Sequence, residues 1–327
     1  MIISRTPFRI SFFGGGTDYP PWYKEHGGAV LSTSFDKYCY ITCRPLPPFF
    51  DHKYRIAYSK VENVRDIAEI EHPAVRAILA EMNFDCGLEV HCDSDLPARS
   101  GLGTSSSFVV GMLHSLTALR GKRVTQDWLA REAIRVEQVV MRENVGSQDQ
   151  TAAAHGGLNL IRFMKDGSIK VEPIVVPDER KRNLNDHLML FFTGFSRISS
   201  DIAKTHVANL NDNSASLHRM RAMVDEAIEI LCDGRDIRAF GELLHAGWME
   251  KRALSDKVSN DSIDALYQKA RQAGALGGKL LGAGGGGFLL LFAAPERHAA
   301  IREVLRDLIL VPFSFETSGS QVIYYQP

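Results

Sequence analysis

The stretch that most constrains the fold of this sequence places two glycines and a row of hydroxyls directly before an apolar segment. Gly101 and Gly103 are followed by Thr104–Ser107 and then by Phe108–Leu113, which predicts a helix running to about Arg120. Bare backbone N–H groups, hydroxyl oxygens and the positive end of a helix dipole together make an anion site. Glycine and serine are equally typical of a tight turn before a well-capped helix. These residues alone support a phosphate-binding loop and a purely structural turn equally well.

The charge balance excludes one broad class of partner. The chain has 38 lysines and arginines against 39 acidic residues, a net charge of −1, and no charged tail, so no nucleic-acid partner is predicted. Its 327 residues, 45% hydrophobic and 24% charged, suffice for two globular domains or for one large domain with a cleft. The longest apolar segment, Leu280–Pro295, is too short and too glycine-rich to span a bilayer, so no membrane partner is expected.

Cysteine usage and the first residues predict the compartment. The five cysteines form no metal-type cluster with one another or with histidines, and free thiols in a reducing cytoplasm are the simplest interpretation. The first residues lack the apolar stretch of a signal peptide, which also favours a cytoplasmic location. The oligomeric state stays open, with a homodimer as one alternative.

A second glycine cluster, Gly14–Gly16, follows the first predicted strand. Arg9 and Ser11 alternate there with phenylalanine and isoleucine, which indicates a strand with one polar face. The glycines end the strand and allow another group to approach the backbone closely. Asp18 comes next, on a predicted loop. The alternative is structural: a strand followed by a turn that an aspartate stabilises.

Glu137 is a carboxylate in an apolar setting. The spacing of apolar residues predicts a helix over about Gln126–Arg142, and Glu137 lies on its apolar stripe. A buried carboxylate without a partner is too costly, so this position needs either a cation partner or an edge location that reaches solvent. The polar residues Asn144–Thr151 follow and are predicted to form a loop.

The second half of the chain contains a charged stretch and a late glycine cluster. Arg180–Asp186 is predicted to be solvated and to mark a domain boundary, which divides the chain into residues 1–182 and 183–327. Lys251 and Arg252 are adjacent cations, as is typical of an exposed surface. Gly282–Gly287 matches a dinucleotide-type pattern, but the residues after it form a predicted strand instead of the required helix. We therefore reject a nicotinamide site and predict a hairpin whose backbone packs closely against another segment.

Three elements occur along the chain in a fixed order: an N-terminal Arg/Gly/Asp segment, the pattern Pro-x-x-x-Gly-Leu-Gly-x-Ser-Ser, and a late Gly-Ala-Gly-Gly-Gly-Gly. Together they resemble the GHMP kinase superfamily over nearly the whole chain, while Walker A and protein-kinase signatures are absent. The resemblance implies an α+β fold of two domains. A ribosomal-protein-like N-terminal domain would bind ATP, a ferredoxin-like C-terminal domain would follow, and the active site would lie in the cleft between them.

Two segments narrow the resemblance. Arg5–Pro21 and Lys251–Ser255 are most similar to the sugar kinases that phosphorylate the anomeric position of D-glycero-D-manno-heptose 7-phosphate, and fucokinases are near relatives. The resemblance then implies ATP as phosphate donor, a sugar phosphate as acceptor and Mg²⁺ as the metal. Gly14–Gly16 stand where galactokinases carry Gly-Glu-His, so galactose is not expected.

The resemblance also implies roles for individual residues. Asp149 matches the catalytic aspartate, and Arg9 matches the basic residue beside it. Ser105 matches the hydroxyl that faces Mg²⁺, and Glu137 matches the acidic metal ligand. The residues implied to bind ATP are Pro97, Gly101, Leu102, Gly103, Thr104, Ser105, Ser106 and Ser107.

The implied substrate residues fall into two groups. Asp18 matches a sugar-contacting aspartate, and the late glycine turn would border the sugar. A phosphate on the substrate needs cations at the far end of the cleft. The residues implied for the sugar are Gly15, Gly16, Asp18, Gly284, Gly285 and Gly286. For the phosphate we predict Arg197, Lys251 and Arg252, positive residues at element ends in the second domain, with exposed surface charge as the equal alternative.

Three alternatives stay open beside an ATP-dependent sugar-phosphate kinase. A free-sugar kinase such as a fucokinase would act on unphosphorylated sugars. A non-catalytic sugar-binding sensor on the same fold would carry a damaged catalytic set, yet Arg9, Ser105, Glu137 and Asp149 are all present. A decarboxylase of the same superfamily is disfavoured by the sugar-type segment at Asp18.

Overall fold

Two β-sheets organise the computed structural model, which describes residues 1–98, 100–194 and 212–326. The first sheet is built on two long strands, β1 (Ile2–Phe13) and β2 (Gly28–Pro45). They pair antiparallel, with Ile2 opposite Cys43 at one end and Phe13 opposite Leu31 at the other. The second half of β1 is buried on both faces, so the strand that carries the first polar motif ends inside the molecule.

Seven shorter strands complete the first sheet within the described ranges. They are β3 (Tyr54–Ala57), β4 (Val61–Val64), β5 (Leu88–Ser94), β6 (Asn159–Phe163), β7 (Ile169–Pro173), β12 (Phe315–Glu316) and β13 (Gln321–Tyr325). The main path runs β13-β1-β2-β5-β3-β4; β6 and β12 also pair with β2, and β7 pairs with β6. Strand β5 leads directly into the glycine–hydroxyl stretch, and this connection places that stretch at one end of the sheet.

Helix α3 (Thr104–Leu119) is the central helix of the first domain, close to the predicted bounds, and is buried along most of its length. It packs against β1 and β2, and Gly111 permits the close approach. A Cβ at Gly111 would lie 2.9 Å from Thr6 Oγ1 and 3.3 Å from Ser4 Oγ. Ser4 Oγ also donates to the carbonyl of Gly111 at 2.9 Å. The other helices described in this domain are α1 (Pro20–His26), α2 (Pro73–Glu81), α4 (Gln126–Arg135) and α5 (Gln148–His155).

The helix predicted over residues 126–142 is divided in two. Helix α4 ends at Arg135, and Val136–Val140 continues as one wide π turn closed by a 2.8 Å backbone hydrogen bond between groups five residues apart. Arg142 then adopts a left-handed φ of 56°, which ends the segment. A π turn changes the direction of the side chains that it carries. Glu137 accordingly lies in the interior, fully buried, and not at a solvent-facing edge.

The second sheet has the order β11-β8-β10-β9 and is antiparallel throughout. Its strands are β8 (Leu188–Phe192), β9 (Gly277–Leu280), β10 (Phe288–Phe292) and β11 (Ile309–Val311). All five residues of β10 are buried, as their continuous apolar sequence predicts for a central strand. Strands β9 and β10 form the predicted hairpin across the late glycine cluster.

Five helices within the described ranges accompany the second sheet. They are α6 (Asp178–Asp186), α7 (Ser214–Cys232), α8 (Arg238–Ala253), α9 (Asp261–Gln272) and α10 (His298–Val304). In the part of the chain that the structure describes, no helix combines the length and the apolar character needed to cross a bilayer.

The predicted division at residue 183 needs two corrections. The predicted solvated stretch Arg180–Asp186 belongs to helix α6, whose Leu184 is fully buried. The end of the predicted C-terminal domain returns to the first sheet, where Tyr325 lies opposite Ile2 and Phe315 opposite Phe35. This pairing covers the outer edge of β1, which otherwise would expose unpaired backbone groups.

The close contact between α3 and the sheet can be tested at Gly111. Alanine is the better helix former by about 1 kcal/mol, but its Cβ would overlap Thr6 Oγ1, which a 2.8 Å hydrogen bond to Ser320 Oγ holds in place. We expect Gly111→Ala to lower the free energy of unfolding by about 1–3 kcal/mol in urea titrations, the usual cost of overpacking. In Gly247→Ala, the matched control in α8, the new Cβ finds its nearest atom at 3.6 Å, so stability should rise. Equal gains in both variants would contradict the packing argument.

Candidate active site

An arginine–aspartate pair joins three segments at the boundary between the domains. Arg9 donates from Nε to Asp149 Oδ1 at 2.7 Å and from Nη2 to Oδ2 at 2.8 Å. Its Nη1 donates to the carbonyl of Gly101 at 2.7 Å, and its backbone N–H to that of Leu102 at 3.2 Å. The Arg9 side chain is 4% exposed and that of Asp149 is 26% exposed. A bidentate pair has fixed geometry, so the accessible part of Asp149 has a defined orientation.

Asp149 lies in the first turn of α5 and not in the predicted loop over Asn144–Thr151. Thr151 Oγ1 donates to the carbonyl of Ser147 at 2.7 Å, which supports this turn. A negative charge in the first turn of a helix is also favoured by the helix dipole. The sequence pattern misses α5 because the helix has eight residues and its apolar members are three consecutive alanines, which form no stripe.

The glycine–hydroxyl stretch packs directly against the Arg9–Asp149 pair. Gly103 precedes α3 with a left-handed φ of 74°, and a Cβ there would lie 3.3 Å from Arg9 Cγ and 3.4 Å from Asp149 Cγ. Gly101 is also left-handed, with φ of 85°. Gly103 supplies no side chain to cap α3, so the N-terminus of this long helix and its positive dipole adjoin the ion pair. This arrangement fits a phosphate group.

The hydroxyls of this stretch point in different directions. Ser105 is exposed, whereas Thr104, Ser106 and Ser107 are buried. Ser107 Oγ donates to the carbonyl of Pro7 at 3.0 Å, and Ser106 Oγ donates to Glu137. Of the predicted nucleotide-binding hydroxyls, these two therefore hold the fold together.

The two apolar residues predicted to bind ATP lie at opposite extremes of burial. Leu102 is fully buried in the core, so its side chain cannot reach a ligand, whereas Pro97 is exposed at the start of the loop.

Glu137 does not fit the metal ligand predicted for it. Ser106 Oγ donates to its two oxygens at 3.1 and 2.9 Å, and Gln150 Nε2 donates to Oε2. Burial raises the pKa of Glu137 to about 8, which leaves the carboxyl protonated near neutral pH. Mg²⁺ prefers ionised carboxylate oxygens.

The wide π turn brings the carboxyl of Glu137 to Ser106 and not to Ser105, the residue predicted to share the metal with it. Within the described ranges, no group of three or more histidine, cysteine or acidic side chains is arranged to hold a metal ion.

A cavity opens beside Arg9, between the two domains. The first domain lines it with Arg9, Ser11, Gly15, Gly16, Tyr19 and Gln148. The second domain lines it with Lys251, Leu254, Ser255, Val258, Lys279, Gly282 and Ala283. Both domains thus contribute to one enclosed site, as the resemblance implies.

Two lysines line the cavity from the second domain, Lys279 buried and Lys251 half-buried. Lys251 Nζ donates to the carbonyls of Leu280, at 2.9 Å, and Gly282, while Lys279 Nζ donates to that of Phe12 at 2.8 Å. Neither forms an ion pair with any carboxylate among the described residues. Burial, reinforced by the nearby Arg9, lowers the pKa of Lys251 to about 7. Burial and the charges of Lys251 and Arg9 lower that of Lys279 well below its usual range. An anion bound in the cavity would offset the repulsion among Arg9, Lys251 and Lys279.

Of the predicted phosphate-binding cations that the structure describes, Lys251 lines the cavity and Arg252 does not. Arg252 pairs with Asp264, whose other oxygen accepts from Ser259 Oγ at 2.6 Å, and it does not line the cavity. The side chains of adjacent helical residues point in different directions, and Lys251 takes the inward one. Arg197 lies outside the described residues.

Asp18 stands behind the cavity and does not line it. It is 1% exposed and accepts the backbone N–H groups of Gly16 at 2.9 Å and Gln148 at 3.3 Å. Burial, together with the charge of Asp149, raises the pKa of Asp18 to about 6. The predicted sugar-contacting aspartate is therefore a positioning residue, which holds two cavity-lining segments at a fixed separation. The predicted Gly15 and Gly16 do line the cavity.

The late glycine turn lines the cavity through residues that precede the predicted ones in the sequence. Gly282 and Ala283 line it, whereas the predicted Gly284, Gly285 and Gly286 do not. Gly285 N–H donates to the carbonyl of Val258 at 3.0 Å, and a Cβ at Gly284 would lie 2.7 Å from the same residue. The turn is thus fixed against Val258 by contacts too close for any side chain.

The hairpin packs closely against the glycine–hydroxyl stretch of the other domain. A Cβ at Gly282 would lie 2.4 Å from Gly101 Cα, and one at Gly287 would lie 2.2 Å from the carbonyl oxygen of Ser100. Backbone meets backbone here, which only glycine permits. The predicted close approach is confirmed, and its partner is the loop that precedes α3.

Among the cavity residues that escaped the sequence-based prediction are Lys279, Ser11 and Gln148. Lys279 lies beside the glycine pattern that was rejected as a dinucleotide site. Ser11 follows Arg9 on the polar face of β1, and this alternation was the available signal. Gln148 adjoins Asp149, and no sequence pattern indicated a role for it.

The two-domain fold places a helix N-terminus and the Arg9–Asp149 pair beside a cavity between the domains, an arrangement typical of phosphotransferases that act on small molecules. The chain belongs to the GHMP kinase family. The model described as GHMP kinases N terminal domain matches residues 68–157, and the model described as GHMP kinases C terminal matches residues 223–308. Together with the heptose phosphate kinases described next, this membership shows that the chain is a phosphotransferase with an alcohol group as acceptor.

Similar proteins include sugar kinases. A D-glycero-alpha-D-manno-heptose 7-phosphate kinase of Campylobacter jejuni is 28% identical over 97% of both chains. An L-fucokinase/L-fucose-1-P guanylyltransferase of Bacteroides fragilis is 26% identical over 94% of this chain, which spans 36% of that longer protein. Among solved structures, a D-glycero-D-manno-heptose 1-phosphate kinase of Bacteroides thetaiotaomicron superposes with a TM-score of 0.81 over the full length of both chains, at 23% identity. This likeness supports the two-domain α+β fold.

The raised pKa of Glu137 has a consequence for stability. Between about 4.5 and 8, folded Glu137 keeps a proton that the unfolded chain releases, so wild-type stability falls as pH rises through this window and levels off above it. Glu137→Gln is neutral throughout. We expect the free energy of unfolding of the variant, relative to wild type, to increase with pH by up to about 1.4 kcal/mol per pH unit. Urea titrations across this range measure it, with the exposed Glu303→Gln as control. A pH-independent difference would contradict the protonated state.

Proposed function

We propose that this chain is an ATP-dependent kinase that phosphorylates the anomeric hydroxyl of a sugar phosphate, with D-glycero-D-manno-heptose 7-phosphate as the leading candidate and its 1,7-bisphosphate as product. One observation carries the proposal: a single cavity is lined by Arg9, which holds Asp149 through a bidentate pair, and by Lys251, which pairs with no carboxylate among the described residues. The first can serve phosphoryl transfer, and the second can hold a phosphate already present on the substrate.

ATP would bind with its terminal phosphates at the start of α3. The backbone N–H groups after Gly101 and Gly103 and the exposed hydroxyl of Ser105 face that position. Arg9 adjoins the same loop through its hydrogen bond to Gly101. Phosphoryl transfer depends on positioning and on neutralising charge more than on covalent chemistry, and these groups supply both.

Asp149 would orient the acceptor hydroxyl and take its proton. The hydroxyl oxygen forms a bond to the γ-phosphorus while the bond from that phosphorus to the β–γ bridging oxygen breaks, and ADP leaves. The hydroxyl proton passes to the Asp149 carboxylate. An anomeric hydroxyl is more acidic than an ordinary alcohol, so a carboxylate is a sufficient base. Arg9, fixed by its bidentate pair, stabilises the charge on the transferring group.

We assign Mg²⁺ to no protein site. The carboxyl predicted to ligate it, Glu137, is buried and held by Ser106 and Gln150. In the proposed mechanism the chain neutralises charge through Arg9 and the α3 N-terminus. The cytoplasm, where ATP is available and where the five free cysteines would persist, is the proposed compartment, and a homodimer remains a prediction.

A second candidate is a free-sugar kinase, which the similarity to fucokinase-containing proteins favours. The two candidates differ in whether the acceptor carries a phosphate. An ATP-consumption assay against heptose, hexose and deoxy-sugar acceptors, each with and without a terminal phosphate, discriminates between them. Turnover of unphosphorylated sugars alone would favour the second candidate, and no ATP consumption with any acceptor would count against both.

Asp149→Asn tests the proton acceptor. The amide keeps the size of the side chain and part of its hydrogen bonding to Arg9 but cannot accept the proton, so we expect kcat to fall by about 10²–10⁴-fold. ATP affinity, measured by calorimetry, should change little because ATP is held by the α3 loop. Asp178→Asn, at an exposed aspartate, is the matched control and should retain full turnover. Near-normal turnover of Asp149→Asn would remove its assigned role.

Lys251→Met tests the phosphate-binding wall. Methionine keeps the apolar stem but loses the charge, so we expect KM for the phosphorylated sugar to rise about 10-fold or more. KM for ATP and turnover of an unphosphorylated acceptor should stay within about 2-fold. Arg252→Met, at the neighbouring cation that pairs with Asp264, should leave the KM for the sugar phosphate unchanged. Steady-state kinetics measure all three, and a KM increase confined to ATP would reassign Lys251 to the donor.

A further inference from the structure

The first-domain wall of the cavity carries two polar side chains that the proposed mechanism does not use. Ser11 lies two residues after Arg9 on β1, so both point to the same face of the strand, and both line the cavity. Gln148 immediately precedes Asp149 at the start of α5 and also lines the cavity. Ser11 is therefore the polar neighbour of Arg9, and Gln148 is the polar neighbour of Asp149.

Each of these side chains has a buried oxygen without a hydrogen-bond partner. Among the residues that the structure describes, Ser11 Oγ and Gln148 Oε1 have none. The charged groups around them are engaged: Arg9 with Asp149, and Lys279 with the carbonyl of Phe12. Buried polar atoms are rarely left unpaired in native proteins. Both residues line the same cavity, so a ligand bound there is an available partner for these two oxygens.

Gly15 leaves open the space between these two groups. A Cβ at Gly15 would lie 3.7 Å from Ser11 Oγ and 3.7 Å from Gln148 Nε2. Gly14 and Gly16 have φ of 81° and 101°, so the backbone itself requires glycine there, but Gly15 has no such left-handed φ. Glycine at position 15 is therefore not required by the backbone conformation. Its lack of a side chain leaves space between Ser11 and Gln148.

Asp18 holds this wall in position from behind. It accepts the backbone N–H groups of Gly16 and Gln148, one on each side of the gap. The separation between the glycine segment and Gln148 is thus fixed by one buried carboxyl group, and a preorganised pair of polar atoms discriminates better than a mobile one.

We infer that Ser11 and Gln148 form the subsite that recognises the hydroxyls of the acceptor adjacent to the reacting one, and that they make the enzyme selective against deoxy sugars. The inference rests on the proposed function for the identity of the acceptor. The side-chain oxygen of Gln148 can only accept a hydrogen bond, whereas the hydroxyl of Ser11 can donate or accept. A vicinal diol beside the carbon whose hydroxyl faces Asp149 satisfies both groups.

Three variants test the subsite: Ser11→Ala and Gln148→Met remove the polar atoms, and Gly15→Ala fills the gap at ordinary van der Waals distances. The substrates are the phosphorylated acceptor that the wild type uses and its 2-deoxy analogue, both with saturating ATP. A site built to bind a hydroxyl rejects the analogue that lacks it. We expect the wild type to prefer the parent sugar, and each variant to lose about 10-fold or more of kcat/KM for the parent.

The diagnostic result is the change in discrimination. In whichever of Ser11→Ala and Gln148→Met removes the contact to the 2-hydroxyl, the kcat/KM for the 2-deoxy analogue should change by less than about 3-fold, so the ratio between the two sugars falls in that variant. Gly247→Ala, whose new Cβ meets only apolar atoms of Met223 and Phe13 at 3.6 Å or more, should keep the wild-type ratio. An unchanged ratio in both polar variants would overturn the inference.

A binding measurement separates this inference from the proposed function. Calorimetry with D-mannose 6-phosphate and its 2-deoxy analogue, in the presence of a non-hydrolysable ATP analogue, reports recognition without turnover. Preferential binding of the hydroxylated sugar that is lost in Ser11→Ala, in a protein that consumes no ATP, would support the subsite and reject the kinase proposal. Turnover by the wild type without any preference between the two sugars would support the kinase and reject the subsite.

Discussion

The contact between Arg9 and Asp149 determines the geometry of the whole site. One guanidinium group holds the aspartate through two hydrogen bonds and the loop before α3 through a third. The last buried part of β1, the start of α5 and the start of α3 therefore converge on a single side chain. The pair is nearly excluded from water on the arginine side and open on the aspartate side. The charges of Arg9 and Asp149 are thus held in a fixed position and are only weakly screened by water. Phosphoryl transfer is favoured by such preorganised charges.

The second constraint is the absence of side chains where the two domains touch. Gly101 meets Gly282, and Gly287 meets the backbone of Ser100. These contacts bring the hairpin of the second domain against the loop of the first, and Lys251 reaches the same hairpin through the carbonyls of Leu280 and Gly282. The shape of the cavity and the position of the Lys251 ammonium group therefore both depend on the backbone contact between Gly101 and Gly282. A methyl group at either glycine would separate the two walls that face each other across the cavity.

Much of this arrangement could be predicted from sequence, because local patterns encode it. The start of α3, the polar face of β1 and the glycine hairpin each lie within a short window of residues. The direction of single side chains could not be predicted in the same way. A π turn pairs Glu137 with Ser106 instead of Ser105, and helix phase turns Lys251 inward and Arg252 outward. Lys279 was hidden because its neighbours resembled a different motif.

The return of β12 and β13 to the first sheet has a topological consequence. The amino group of Met1 donates to the carbonyl of Gln326, so the two ends of the described chain adjoin at one edge of that sheet. Strands β8 to β11 of the second sheet are therefore inserted between strands of the first sheet, and the first domain is not a continuous segment. A circularly permuted chain, with these ends linked and new ends opened in an exposed turn such as the one at Gly167, would keep every contact of the cleft. Cutting the chain in two near residue 183 would instead remove the strand that closes the edge of β1.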